Sequence, residues 1–194
     1  MLVLKGLRFD AGILEDVFEL LGPVVKNMPD MEKYCVVVLD ETSIEKARSF
    51  CFNNRKMFGD ITLPSTTGTL ATHALVYVAA GIKKRWRQVI AYFFTGDSIE
   101  PGILKSMTLD IVIRVESIGL KVHAIVTDCG GGNNRMWNDM KLLHQKKNVL
   151  QNEALVYPCN DERKLEIVPD AVHIFKSAVQ GWITNKYVCY LKTL

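Results

Sequence analysis

Residues 121–134 read KVHAIVTDCGGGNN. Residues 121–128 form an apolar, partly β-branched run of strand length, which predicts a buried strand ending on Asp128. The glycine run behind it has two readings: a loop that cradles phosphate, or a connection beside a metal-binding carboxylate. The stretch GGGNN lacks the lysine and serine of GxxxxGK[ST] and does not match GxGxxG. A tight strand-to-helix connection is therefore expected, with Asn133 or Asn134 as N-cap of a helix carrying Trp137. Close approach of a DNA phosphate to the glycine backbone stays open. An Asp at a strand tip is by itself often a turn residue or a cap.

Working outward, CVVVLDE (35–41) is a second apolar run, ending at Asp40, and its apolarity on both faces predicts a central strand. Residues 69–82 and 88–95 read as two strands of an antiparallel hairpin, joined by the basic turn KKRWR. Residues 10–21 carry Ile13, Leu14, Val17, Phe18 and Leu21 at helical spacing, with Asp10 as N-cap and Gly22-Pro23 as the stop. Residues 43–60 are polar and irregular, with a short helix expected over 44–50. A long helix follows from Pro101 to near Gly119, capped by Asp97 and Ser98. Further helices are expected over 134–146 and 169–183, and a short fifth strand over 154–159. The element order is helix, three strands, helix, strand, helix, strand, helix. That is the order of an RNase H-like α/β fold: a mixed five-stranded sheet flanked by helices, with strands 1 and 4 adjacent and parallel, incomplete at the C-terminus. In that analogy Asp40 and Asp128 become neighbours at one sheet edge.

The bulk properties agree with a soluble globular chain. It has 194 residues, 48% hydrophobic and 23% charged, with a formal net charge of +3. The mild positive charge permits nucleic-acid binding without requiring it. No apolar run approaches the ~20 residues of a membrane span. Lys5, Arg8 and Asp10 come too early for a signal peptide. Five widely spaced cysteines with no CxxC pair predict no structural zinc, and suit a reducing compartment, cytosol or nucleus.

Two adjacent carboxylates repel, and a divalent ion between them relieves that cost. Hard oxygen ligands favour Mg2+ or Mn2+. Two such ions about 4 Å apart activate a water or hydroxyl and stabilise the leaving oxygen of a phosphodiester. Such sites normally use a third acid, for which Asp170 and Glu166 are the placed candidates. Glu41 faces away from Asp40 by strand alternation and reads as structural, or as a secondary ligand. His173 reads equally as an active-site neighbour or a packing residue; His73 and His123 read as structural. Lys83, Lys84, Arg85 and Arg87, with Trp86, form a basic hairpin tip that is either solvated or in contact with DNA phosphate.

Several blocks in order then resemble the catalytic region of P-element-type DNA transposases and their THAP-domain vertebrate relatives. They are GLRFDAGILEDV, YCVVVLDETSIEK, HALVYVAAGIKKRWRQVIAYFFTGDSI, IGLKVHAIVTDCGGGNNRMW and PDAVHIFKSAVQGWI. The resemblance implies a DDE-type, Mg2+- or Mn2+-dependent transposase site with Asp40 as first acid and Asp128 as second. It implies DNA as partner, a nuclear location, no membrane, and leaves a homo-oligomer open. The family's third acid, a glutamate, lies beyond an insertion and past the last residue of this chain. The implied domain plan is a helical lead-in over 1–34 and the RNase H-like catalytic domain, before the insertion, over 35–194. Departures are CGGGNN, where the family shows one glycine followed by serine or asparagine, and DAVHIFKSAVQ, where it reads nearer DPPHLIKNLRN. Asp170, His173 and Lys176 are kept, Lys176 as a candidate DNA contact; the zinc-binding THAP module is absent. The expected function is a transposase catalytic-domain fragment, inactive alone. The alternatives are a non-catalytic DNA- or protein-binding remnant, or a self-contained nuclease using Asp170.

Overall fold

The computed structural model describes residues 10–52, 55–63, 68–128, 130–140, 155–156 and 163–185. Its centre is β2 (Tyr34–Ser43), flanked by β5 (His73–Gly81) on one side and β7 (Lys121–Thr127) on the other. β5 runs antiparallel to β2 and to β6 (Arg87–Thr95), whereas β7 is parallel to β2. The expected hairpin and the expected parallel pair are both present. β9 (Lys164–Pro169) extends the parallel set beyond β7. β1 (Gly12–Ile13) and β8 (Leu155–Val156) close the two edges, giving the order β1-β6-β5-β2-β7-β9-β8.

Among the described residues the sheet thus has seven strands rather than five. The partner of β7 is 164–169, a stretch not read as a strand, and residues 155–156 of the expected fifth strand form only an antiparallel edge. Lys164 and Glu166 are exposed while Leu165 is buried. That half-polar pattern suits a strand near a sheet edge and hides it from a search for apolar runs.

Three helices cover one face: α1 (Glu15–Lys26), α2 (Pro101–Ser117) and α3 (Gly131–Asp139). Cys35, Val37 and Leu39 of β2 alternate onto this face and are at most 2% exposed. Val36 and Val38 take the other face and stay half-buried. The core unites the covered face with Phe18, Ile111, Val115 and Met136. Inside it, the Tyr77 and Thr108 hydroxyls lie 3.0 Å apart and tie β5 to α2, and Thr108 donates to the Leu104 carbonyl at 2.7 Å.

The N-terminal stretch is woven into this unit. β1 pairs with β6, and Phe18 of α1 is 1% exposed beneath the Arg114 guanidinium. α1 does not stop at Gly22-Pro23: Pro23 lies inside it, and Val25, two residues later, is 2% exposed in the core. Burial of that last turn offsets the hydrogen bond the proline cannot donate. β3 (Ser49–Cys51) pairs antiparallel with β4 (Lys56–Phe58), and the helix expected over 44–50 is not formed: residues 44–48 are irregular and 49–50 belong to β3. α2 begins after Glu100 without a side-chain cap, so Asp97 and Ser98 do not cap it. α4 (Ala171–Asn185) forms as expected, and the expected helix over 134–146 is present as α3 as far as Asp139; residues 141–146 lie outside the described ones.

Candidate active site

Val38 of β2 stands opposite Val126 of the parallel β7. Two residues further along each strand come Asp40 and Asp128. β9 joins through the Thr127–Pro169 pair, and the Asp170 N–H donates to the Thr127 carbonyl at 2.8 Å. Parallel register therefore carries Asp40, Asp128 and Asp170 to one edge of the sheet. Glu166 pairs with Ala124, roughly four strand residues or ~13 Å back from that edge.

The acids differ in how they are held. Asp40 is exposed, and its Oδ1 accepts the Glu41 N–H at 2.9 Å. Asp128 is half-buried. Its Oδ1 accepts the Gly130 N–H at 3.0 Å and the Asn133 Nδ2–H at 2.5 Å. Gly130 is also the glycine of this run that packs closest to the acid. A Cβ there would stand 3.0 Å from Asp128 Oδ1, whereas Gly131 and Gly132 have nothing within 4 Å of theirs. Gly130, not Asn133 or Asn134, occupies the N-cap of α3. Asn133 reaches back to the acid instead.

A cleft of about 360 Å³ opens on the helix-covered side, lined by Glu41, Asp97, Ser98, Asp128, Asn133 and Arg135 among others. Asp40, one residue before Glu41 on a strand, takes the opposite face. Glu41 is thus the β2 acid that shares the cleft with Asp128, and its Oε1 accepts the Thr95 hydroxyl at 2.7 Å. Asp97 accepts the Thr72 hydroxyl at 2.8 Å. Alternation foretold the opposed faces of Asp40 and Glu41; nothing local in the sequence signals the folding of Thr72 and Thr95 around Asp97 and Glu41. Among the described residues, no three His, Cys, Asp or Glu side chains are grouped so as to hold a metal ion together.

A family description, TNP-like, RNase H N-terminal domain, matches residues 9–141. The chain belongs to this family. Its sequence is 26% identical over 186 residues to the Transposable element P transposase of Drosophila melanogaster, covering 95% of this chain and 21% of that protein. It spans about a fifth of that relative's length and is homologous to its RNase H-like region. The fold matches the Drosophila P element transposase strand transfer complex with a TM-score of 0.69 at 21% identity, over 93% of this chain and 36% of the other. The RNase H-like expectation and the family resemblance both hold.

The remaining candidates lie apart from the acid edge or serve local structure. Asp170 Oδ1 accepts the Val172 N–H at 2.9 Å, which caps α4, and His173 Nε2 lies 3.9 Å from Asp170 Oδ2. Lys176 is exposed on α4. The basic turn sits at the far end of the β5–β6 hairpin. Val76 pairs with Asp40 and Gly81 with Cys35, so the turn begins roughly five residues, or ~17 Å, from the level of Asp40. Lys83, Arg85 and Arg87 are exposed there, and Lys84 pairs with Glu32 at 3.0 Å. Trp86 is half-buried against Gly81, where an added Cβ would stand 2.3 Å from its Nε1, so its ring packs on its own hairpin.

Proposed function

We propose that this chain is the N-terminal part of a DNA transposase catalytic domain, in which Asp40 and Asp128 bind Mg2+ or Mn2+. The observation that carries this reading is the parallel Val38–Val126 register, which sets the two aspartates level at the ends of adjacent strands. The donor types fit, and because the pleat turns Asp40 away from the cleft that Asp128 lines, a shared ion would lie at the strand tips rather than inside that cleft. Both are hard oxygen ligands, and among the described residues the protein donors to Asp128 converge on Oδ1 and leave Oδ2 for an ion. Magnesium sites commonly use one or two carboxylates and complete their shell with water and phosphate. When bound, the ions would supply activation of a water or hydroxyl and stabilisation of the leaving oxygen. The chain's own part is to hold the carboxylates in position. DNA is the proposed substrate and the nucleus the proposed location.

Calorimetric titration of Mn2+ into the 194-residue chain tests this. Binding that is lost in both Asp40→Asn and Asp128→Asn is expected; binding indifferent to both substitutions removes the reading. A second reading, a non-catalytic DNA- or protein-binding remnant, is favoured by the pleat, which turns Asp40 away from the cleft that Asp128 and Glu41 line. Metal-dependent DNA cleavage by this chain, abolished by Asp128→Ala, would exclude it.

A further inference from the structure

We infer that Asn133 is a positioning residue for the metal site, resting on the assignment of Asp128 as a ligand: its side-chain amide clamps one carboxylate oxygen and leaves the other for the ion. Asn133 stands in the first turn of α3 and donates Nδ2–H to Asp128 Oδ1 at 2.5 Å. The Gly130 N–H donates to the same oxygen at 3.0 Å. Both donors converge on one oxygen from the α3 side. The loop runs close against the carboxylate at Gly130, where a Cβ would lie 3.0 Å from Oδ1, a tight contact, and 3.4 Å from Oδ2. The clamp is rigid because its helix is anchored. Met136 is fully buried, Trp137 is 5% exposed, and Thr108 of α2 lies 3.7 Å from the Met136 sulfur.

Asn133 has no capping duty that would otherwise explain it, because Gly130 takes the N-cap and no side chain caps the helix. An Asp or Ala here could not donate to a carboxylate, whereas the amide can. Partners that orient a ligand in this way typically change metal affinity 10–100-fold when removed. The bland alternative is that Asn133 only stabilises the turn. That role would affect stability and leave metal affinity alone.

The test is Mn2+ calorimetry on the full chain, comparing wild type, Asn133→Ala and Asp128→Ala, with thermal melting in the absence of metal. Asn133→Ala is expected to weaken Mn2+ binding about tenfold while moving the melting midpoint by no more than about 4 °C. In the wild-type chain, with no substitution to risk the fold, Mg2+ is expected to shift the Asn133 side-chain amide signals in nitrogen–proton NMR spectra. Unchanged affinity in Asn133→Ala, with binding lost in Asp128→Ala, overturns the inference and leaves the metal reading standing. Amide signals that do not move while Mg2+ saturates the site also overturn it. Mn2+ binding that survives Asp128→Ala removes the metal reading and the inference together.

Discussion

Val38 and Val126 face each other across the one parallel pair at the centre of the sheet, and each lies two residues before an aspartate. If both aspartates serve the same ions, their substitutions will not add. Each of Asp40→Asn and Asp128→Asn should lower Mn2+ affinity by more than the ~10-fold typical of an outer-sphere change, and the double variant should lose little more. Glu41→Gln, which alters the opposite face and the Thr95 hydrogen bond, should retain Mn2+ binding. Calorimetry on the four variants reads this directly, and binding lost in Glu41→Gln but kept in Asp40→Asn would move the site into the cleft.

The three glycines behind Asp128 should respond unequally to alanine. Gly131→Ala and Gly132→Ala place their Cβ in open space on a helix, so each should stabilise the chain by roughly 0.5–1 kcal/mol. Gly130→Ala drives a Cβ towards the Asp128 carboxylate and should weaken Mn2+ binding. Urea unfolding and metal titration of the three variants separate the effects. Equal behaviour would mean that the loop does not close on the acid.

One row of valines crosses five strands on the face opposite α1, α2 and α3. Val89, Val78, Val38, Val126 and Val168 are consecutive partners in the register. Val89 is 39% exposed and Val168 44% exposed. Contiguous apolar surface of this kind promotes association. Val89→Lys with Val168→Lys should reduce concentration-dependent light scattering without lowering the melting midpoint by more than a few degrees, about the scale of one surface change.

Alkaline pH should destabilise the fold in a defined window. Burial, aided by the Glu116 carboxylate, pushes the Cys35 thiol up from 9.0 to about 12. Between these values the unfolded chain has released the proton that the folded chain keeps. The unfolded state then binds fewer protons, and stability falls as pH rises from about 9 towards about 12, with no contribution below. The Tyr77 hydroxyl is also raised, chiefly by burial, and adds to the loss at the upper end. Urea midpoints measured from neutral to alkaline pH should show this decline, and Cys35→Ala should make its onset shallower.

The central strands were legible because their apolarity on both faces admits no other place. CVVVL and HAIV must each be flanked by strands and covered, and β2 and β7 are. Asp40 and Asp128 were legible because each ends such a run. β9 was not, since alternation of Lys164, Leu165 and Glu166 is the mark of a half-covered strand and is too short to stand out. The course of α1 through Gly22-Pro23 was equally hidden. Local rules predict a stop there, and a contact far along the chain, the packing of Val25 in the core, overrides it.

The sequence by itself determined the fold class, the central strands and the two acids at their tips, because period and composition act locally. Only the tertiary structure decided what surrounds those acids. Register across parallel strands set Asp40, Asp128 and Asp170 level, and pleating sent Glu41 to the cleft while Asp40 took the other face. The docking of α3 against α2 brought the Asn133 amide onto one oxygen of Asp128. Hydrogen bonds of that kind depend on the relative position of two packed elements, which no local run of residues encodes.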